Sequence, residues 1–137
     1  MTRYLDSSLT VDVIVGSPAP GWDRTEPHCF SELMGVEVRR TLQRFHFEGA
    51  LDDAGLASAL DQLLLIERTS EVVELDRQIL QRAGGSFSVV IKTLDAIHLA
   101  TAMLLRETRY PDLVFATHDR RLGMAARLVE LPVVGVD

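Results

Sequence analysis

The chain has 137 residues, 47% of them hydrophobic and 25% charged, a balance expected of one soluble domain and not of a disordered chain. A single cysteine, Cys29, excludes a disulfide framework and fits a reducing compartment. The net charge of −6 argues against a surface that is basic throughout, although a binding face is a local property.

No uncharged apolar run approaches the ~18 residues that span a bilayer. A charge also follows Met1 too soon for a signal-peptide core. The expectation is therefore a cytoplasmic protein that makes no membrane contact. Its basic residues are almost all arginine, Lys92 being the only lysine.

In chain order, Arg3–Asp6 reads as a short strand, and Ser7-Ser8 as the start of a helix ending near Gly16. The stretch Gly16-Ser17-Pro18-Ala19-Pro20-Gly21 reads as a loop. Ser31-Glu32 opens a longer helix whose Met34, Val38, Leu42 and Phe45 fall on one face. Asp52 and Asp53 begin another, carrying Leu56, Leu60, Leu63 and Leu64. Val72–Leu75 reads as a strand, and Asp76 as the cap of a short helix through Arg82. An apolar helix starts at Thr93 or Asp95 and runs through Leu104. Leu113–Thr117 is the clearest strand; a helix over Arg120–Leu128 and a strand over Pro132–Val136 close the chain. Strands that are continuous apolar runs, alternating with helices, predict a small, mainly parallel sheet covered on both faces: an α/β protein of three layers, α/β/α. Ligands of such folds bind at the carboxyl ends of the strands.

Acids fall at those ends. Asp6 closes the first strand, and Asp119 lies two residues past Leu113–Thr117. Asp95 stands in the first turn of the apolar helix, and Glu37 borders the buried stripe of its own helix, where a carboxylate is costly unless a cation meets it. Each has a plain explanation. Asp6 and Asp119 suit helix caps, Asp95 suits the helix dipole, and Glu37 has Arg40 and Arg44 on its helix. Together they have another. Four carboxylates in one crevice repel, by about 3 kcal/mol per pair at ~5 Å and an effective dielectric of ~20, and divalent cations relieve that repulsion. Oxygen-only donors favour Mg²⁺ or Mn²⁺ over zinc.

Four segments, Tyr4-Leu5-Asp6-Ser7-Ser8-Leu9, Ser31–Arg40, Thr93-Leu94-Asp95-Ala96-Ile97-His98-Leu99-Ala100-Thr101-Ala102 and Phe115–Leu122, occur in an order and at spacings that resemble a PIN-domain ribonuclease, specifically the VapC-type toxin of toxin–antitoxin pairs. The tail Ala125–Leu128 and Pro132–Val136 looks like that family's last helix and strand, so the resemblance implies one PIN-like domain over residues 1–137. Only the neighbourhood of Val11–Phe30 is less typical. The resemblance carries metal-binding and catalytic roles onto Asp6, Glu37, Asp95 and Asp119, and supporting hydrogen-bond roles onto Ser8 and Thr117. It implies Mg²⁺- or Mn²⁺-dependent hydrolysis of RNA, leaving a 5′-phosphate and a 3′-hydroxyl. It also implies a cognate antitoxin as partner, and a homodimer.

Arg39, Arg40, Arg44, Arg120 and Arg121 lie near these acids in sequence, and Arg39, Arg40 and Arg120 are the candidates for RNA phosphates. His98, His118 and Cys29 form no zinc spacing and read as core or loop residues. Trp22 reads as a packing anchor. The leucine-rich helix Leu56–Leu64 suits a dimer or partner surface, or only its own core. Two alternatives remain at this point. One is a different Mg²⁺ phosphotransfer or phosphatase domain, disfavoured because Ser8 stands where such a phosphatase has a second aspartate. The other is a non-catalytic PIN-like binding module.

Overall fold

A computed structural model describes residues 1–137. Its elements run β1 Arg3–Leu5, α1 Ser7–Val15, β2 His28–Ser31, α2 Leu33–Phe47, α3 Asp53–Thr69 and β3 Glu71–Val73, then α4 Arg77–Ala83, α5 Thr93–Thr108, β4 Val114–Ala116, α6 Arg120–Leu128 and β5 Val133–Val134. Every strand pair is parallel, and the sheet order is β3-β2-β1-β4-β5.

Alternation along the strands builds two cores. Leu5, Phe30 and Ala116 face one side, where Leu9, Met34, Val38, Leu42, Leu63 and Ile66 of α1, α2 and α3 cover them. Their strand neighbours Tyr4, Cys29 and Phe115 face the other side, under Leu99, Leu105, Leu122 and Ala126 of α5 and α6. Short strands that bury both faces must be apolar throughout, and β4, with all three residues buried, is. The expected three-layer α/β/α architecture is thus the observed one.

One strand of the sheet is missing from the sequence reading. β2 pairs Arg3 with His28 and Tyr4 with Cys29, yet only Cys29 and Phe30 of its four residues are apolar, too short a run to signal a strand. The apolar helix also extends past Leu104 to Thr108, because Arg106, Glu107 and Thr108 continue it on its wet side.

From β1 the chain moves outward through β2 to β3, then crosses back to place β4 on the other side of β1. The sequence of strands therefore reverses between β1 and β4, and a crevice opens above their carboxyl ends. No helix is long and apolar enough to cross a membrane.

Candidate active site

Asp6 leaves β1 at that crevice and is 3% exposed. It occupies the position before α1, but its side chain does not cap that helix. Its Oδ2 instead accepts the hydroxyls of Ser8 at 2.6 Å and Thr117 at 2.8 Å. Those hydroxyls are themselves held. Ser8 Oγ accepts the amide of His118 at 3.0 Å, and Thr117 Oγ1 accepts the amide of Asp119 at 3.0 Å. Neighbouring strand ends are laced together around one carboxylate, and the lacing leaves Oδ1 of Asp6 without a hydrogen bond.

Asp119 is a helix cap, as its position suggests. Its Oδ1 accepts the amides of Arg121 at 2.9 Å and Leu122 at 3.1 Å, and Oδ2 stays uncommitted. His118, between Thr117 and Asp119, bonds Asp12 at 2.5 Å and the Pro20 carbonyl at 2.9 Å, fastening the Gly16–Gly21 loop to the site. Gly135 (φ +100°) lies under that turn so closely that a Cβ there would stand 2.3 Å from the Thr117 carbonyl.

Glu37 meets neither Arg40 nor Arg44; Arg44 pairs with Glu48 on its own helix. The cation it meets is His98 of α5, whose Nε2–H donates to Glu37 Oε1. His98 has no exposed surface, and its Nδ1 is bonded to the Tyr4 hydroxyl at 2.8 Å, which in turn accepts the Ser31 amide at 3.3 Å. A buried chain from β2 through β1 and α5 thus braces Glu37 on α2. Sequence reasoning places His98 in the core, which is correct, but does not connect it to Glu37. The accessible signal is spacing, since His98 lies three residues after Asp95 and shares its helix face.

Asp95 makes no hydrogen bond through its side chain and is half-buried. Burial pushes its carboxyl above the ordinary aspartate range, and the charges of Asp6, Asp119 and Glu37 push the same way, against a smaller opposing effect of His98. All four predicted carboxylates therefore share one electrostatic neighbourhood, centred on Asp95. They are not drawn together at ligand distance, for no three Asp, Glu, His or Cys side chains converge closely enough to grip an ion as they stand. Each is anchored on its own element instead: Asp6 on two hydroxyls, Asp119 on two amides, Glu37 on His98. Every one of them keeps an oxygen free of hydrogen bonds, and a set of free carboxylate oxygens fits a hard divalent cation.

The arginines divide. Arg39 is not available to phosphate, because it makes a two-pronged bond to Glu67 of α3 at 3.1 and 2.6 Å, over Gly35, where a Cβ would crowd it. Arg40 is exposed and unpaired. Arg120 opens on a cavity lined by Pro18, Pro20, His118 and Asp137, away from Asp95. Its neighbour Arg121 shares a cavity of about 260 Å³ with Asp95, Asp119 and Lys92. Trp22 is a packing residue, stacked on His28 with ring centres 4.5 Å apart. Of the leucine-rich helix, Leu63 is buried in its own core, while Leu64 and the neighbouring Leu65 face outward.

Residues 3–128 match the model of the PIN domain family. Ribonuclease VapC46 of Mycobacterium tuberculosis is 33% identical over 137 residues, covering 96% of this chain and 95% of its own. Ribonuclease VapC35 of the same species is 33% identical over 138 residues, covering 96% and 94%. Among solved structures, VapBC2 from Rickettsia felis, crystallised bound to a DNA fragment from its promoter, superposes with a TM-score of 0.65 over 97% of both chains; at 12% identity that likeness concerns the fold.

Proposed function

The chain belongs to the PIN domain family, and from that premise we propose that residues 1–137 form one PIN-like domain acting as a VapC-type, Mg²⁺- or Mn²⁺-dependent endoribonuclease, the toxin of a toxin–antitoxin pair. Asp6, Glu37, Asp95 and Asp119 would hold the metal. The single observation that carries this reading is the gathering of four carboxylates, from the ends of β1 and β4 and from α2 and α5, each with an oxygen free of hydrogen bonds. Stability gives no reason to assemble four acids there; a cation does.

Asp6, Glu37, Asp95 and Asp119 would hold a divalent ion there, which would supply Lewis acidity for hydrolysis of a phosphodiester. The chain's own residues do the positioning. Ser8 and Thr117 hold Oδ2 of Asp6 and leave Oδ1 free of hydrogen bonds. His98 holds Glu37 by one oxygen and leaves the other free. Asp119 is fixed by the α6 amides in the same way. In the reaction, water adds across a P–O bond of the backbone, leaving a 5′-phosphate on one product and a 3′-hydroxyl on the other. A cognate antitoxin and a second copy of the chain are the proposed partners; the likeness to VapBC2 supports the first.

The test is an RNA cleavage assay on the partner-free protein with Mg²⁺ or Mn²⁺, with chelator, and with Asp6→Asn and Asp95→Asn. Cleavage should need the ion and fall by about 100-fold or more in either variant. Undiminished cleavage in both variants would reject the site. Independently, Mn²⁺ at a hundred times its Kd should stabilise the wild type by about 2.7 kcal/mol.

A further inference from the structure

Two cations stand where helix energetics disfavour them. Lys92 immediately precedes α5, and Arg121 lies in the first turn of α6. Each is therefore at the positive end of a helix dipole, which favours anions. Both line the cavity of about 260 Å³ that also contains Asp95 and Asp119, together with Val90, Ile91 and Leu122. Both are exposed. Neither forms an ion pair with those carboxylates or with any other, although the chain's other ion pairs show carboxylates readily taken by arginine, as in Arg39–Glu67 and Arg82–Glu107. The two cations are thus left unpaired beside Asp95 and the free oxygen of Asp119.

We propose that Lys92 and Arg121 form a phosphate subsite for single-stranded RNA beside the carboxylates, gripping a backbone phosphate next to the one attacked. This rests on the nuclease reading above and extends it to how an acidic protein holds a polyanion. The two cations, unfavourable in the free protein, become an asset once a phosphate arrives. Two side-chain charges then meet one anion. A guanidinium offers the phosphate a planar fork, and the ammonium a mobile point charge. Exposed Val90 and half-buried Ile91 supply an apolar wall for the attached sugar or base. Arg120, one residue away but opening on the Pro18–Asp137 cavity, is not part of the subsite.

The experiment measures steady-state cleavage and, in parallel, fluorescence anisotropy of a labelled single-stranded RNA, for Lys92→Ala, Arg121→Ala, the double variant and Lys92→Arg. Arg68→Ala is the control, since Arg68 lies in the last turn of α3, just ahead of the edge strand β3. Each alanine should raise KM and the RNA Kd about tenfold with kcat changed much less, and should flatten the dependence of log KM on log salt by about 0.7. Lys92→Arg should restore most of the loss. The Mn²⁺-induced rise in melting temperature should survive in all variants, which separates lost RNA contact from a damaged metal site. Efficient cleavage with KM, Kd and salt slope unmoved in the double variant overturns the subsite and leaves the nuclease standing. RNA binding that needs both cations, without metal-dependent cleavage, does the reverse. A wild type that neither binds nor cuts RNA overturns both.

Discussion

His98 reaches Glu37 from 61 positions further along the chain, a fully buried imidazole on α5 against a carboxylate on α2. Burial alone pulls the His98 pKa down, but the bond to Glu37 and the charges of Asp6, Glu37 and Asp95 outweigh it, and the net displacement is upward. A histidine whose folded pKa is raised contributes stability that is complete below its unfolded value near 6.5 and is lost as pH rises through the folded value. In chelator, His98→Leu should cost about 2 kcal/mol at low pH, where it strips a charged hydrogen bond. The gap to wild type should narrow as pH climbs past the folded pKa. Denaturant midpoints across that range test it, and a gap independent of pH would show that the imidazole is not charged in the fold.

Asp95 shifts stability in the same direction with pH, but as a penalty on its charged form instead of a gain. Burial and its acidic neighbours raise its pKa, so the fold prefers it protonated. Stability is then lost as pH rises from the unfolded value near 3.9 through the raised folded one. At neutral pH and without metal, Asp95→Asn should be the more stable protein. Because the group is half-exposed, solvent screening limits the gain to about 0.5 kcal/mol, or roughly 1–3 °C in melting temperature. Adding Mn²⁺ should reverse the ranking, since only the wild type gains from the ion. A variant that is less stable than wild type in chelator would mean that the four carboxylates do not strain one another.

The parts of this site legible in the sequence are those set by local rules. Asp6 and Asp119 are found because strand ends and helix starts have signals of their own, and Asp95 because an apolar helix makes an acid in its first turn conspicuous. The parts that escaped depend on distant contacts. Whether Asp6 caps α1 or turns to Thr117 is decided by β4, which lies more than a hundred residues later. Glu37 announces only that it needs a cation; that the cation is His98 and not Arg40 follows from α5 packing over β1 and β2. Arg39 resembles Arg40 until Gly35 lets Glu67 approach it. Adjacent Arg120 and Arg121 differ by one helical step, enough to send them into different cavities.

Cys29 should be chemically silent. It has no exposed surface, and burial, with the charge of Glu71, pushes its thiol up to about 12. The thiolate is the reactive form, so at about pH 8 a disulfide reagent should leave the native protein unmodified and titrate one thiol only in denaturant. Rapid modification of the folded protein would contradict the packing of β2 between β1 and β3.

Gly135 tests whether the lacing of Asp6 matters beyond stability. Its φ of +100° is foreign to residues with a side chain, and an added Cβ would meet the Thr117 carbonyl at 2.3 Å and the Pro20 carbonyl at 3.1 Å. Both obstacles are backbone, so relief requires the turn after β4 to move, and with it the hydroxyl that Thr117 gives to Asp6. Gly16 is the control, for it shares a positive φ of +78° but has nothing within 4 Å of the built Cβ. Gly16→Ala should cost about 1 kcal/mol of conformational strain and leave the Mn²⁺-induced rise in melting temperature unchanged. Gly135→Ala should cost about 2 kcal/mol or more and also shrink that rise, although it alters no ionisable group. Equal Mn²⁺ responses in the two variants would mean that Asp6 keeps its orientation without Thr117, and that the hydroxyl lacing serves only to join the strand ends.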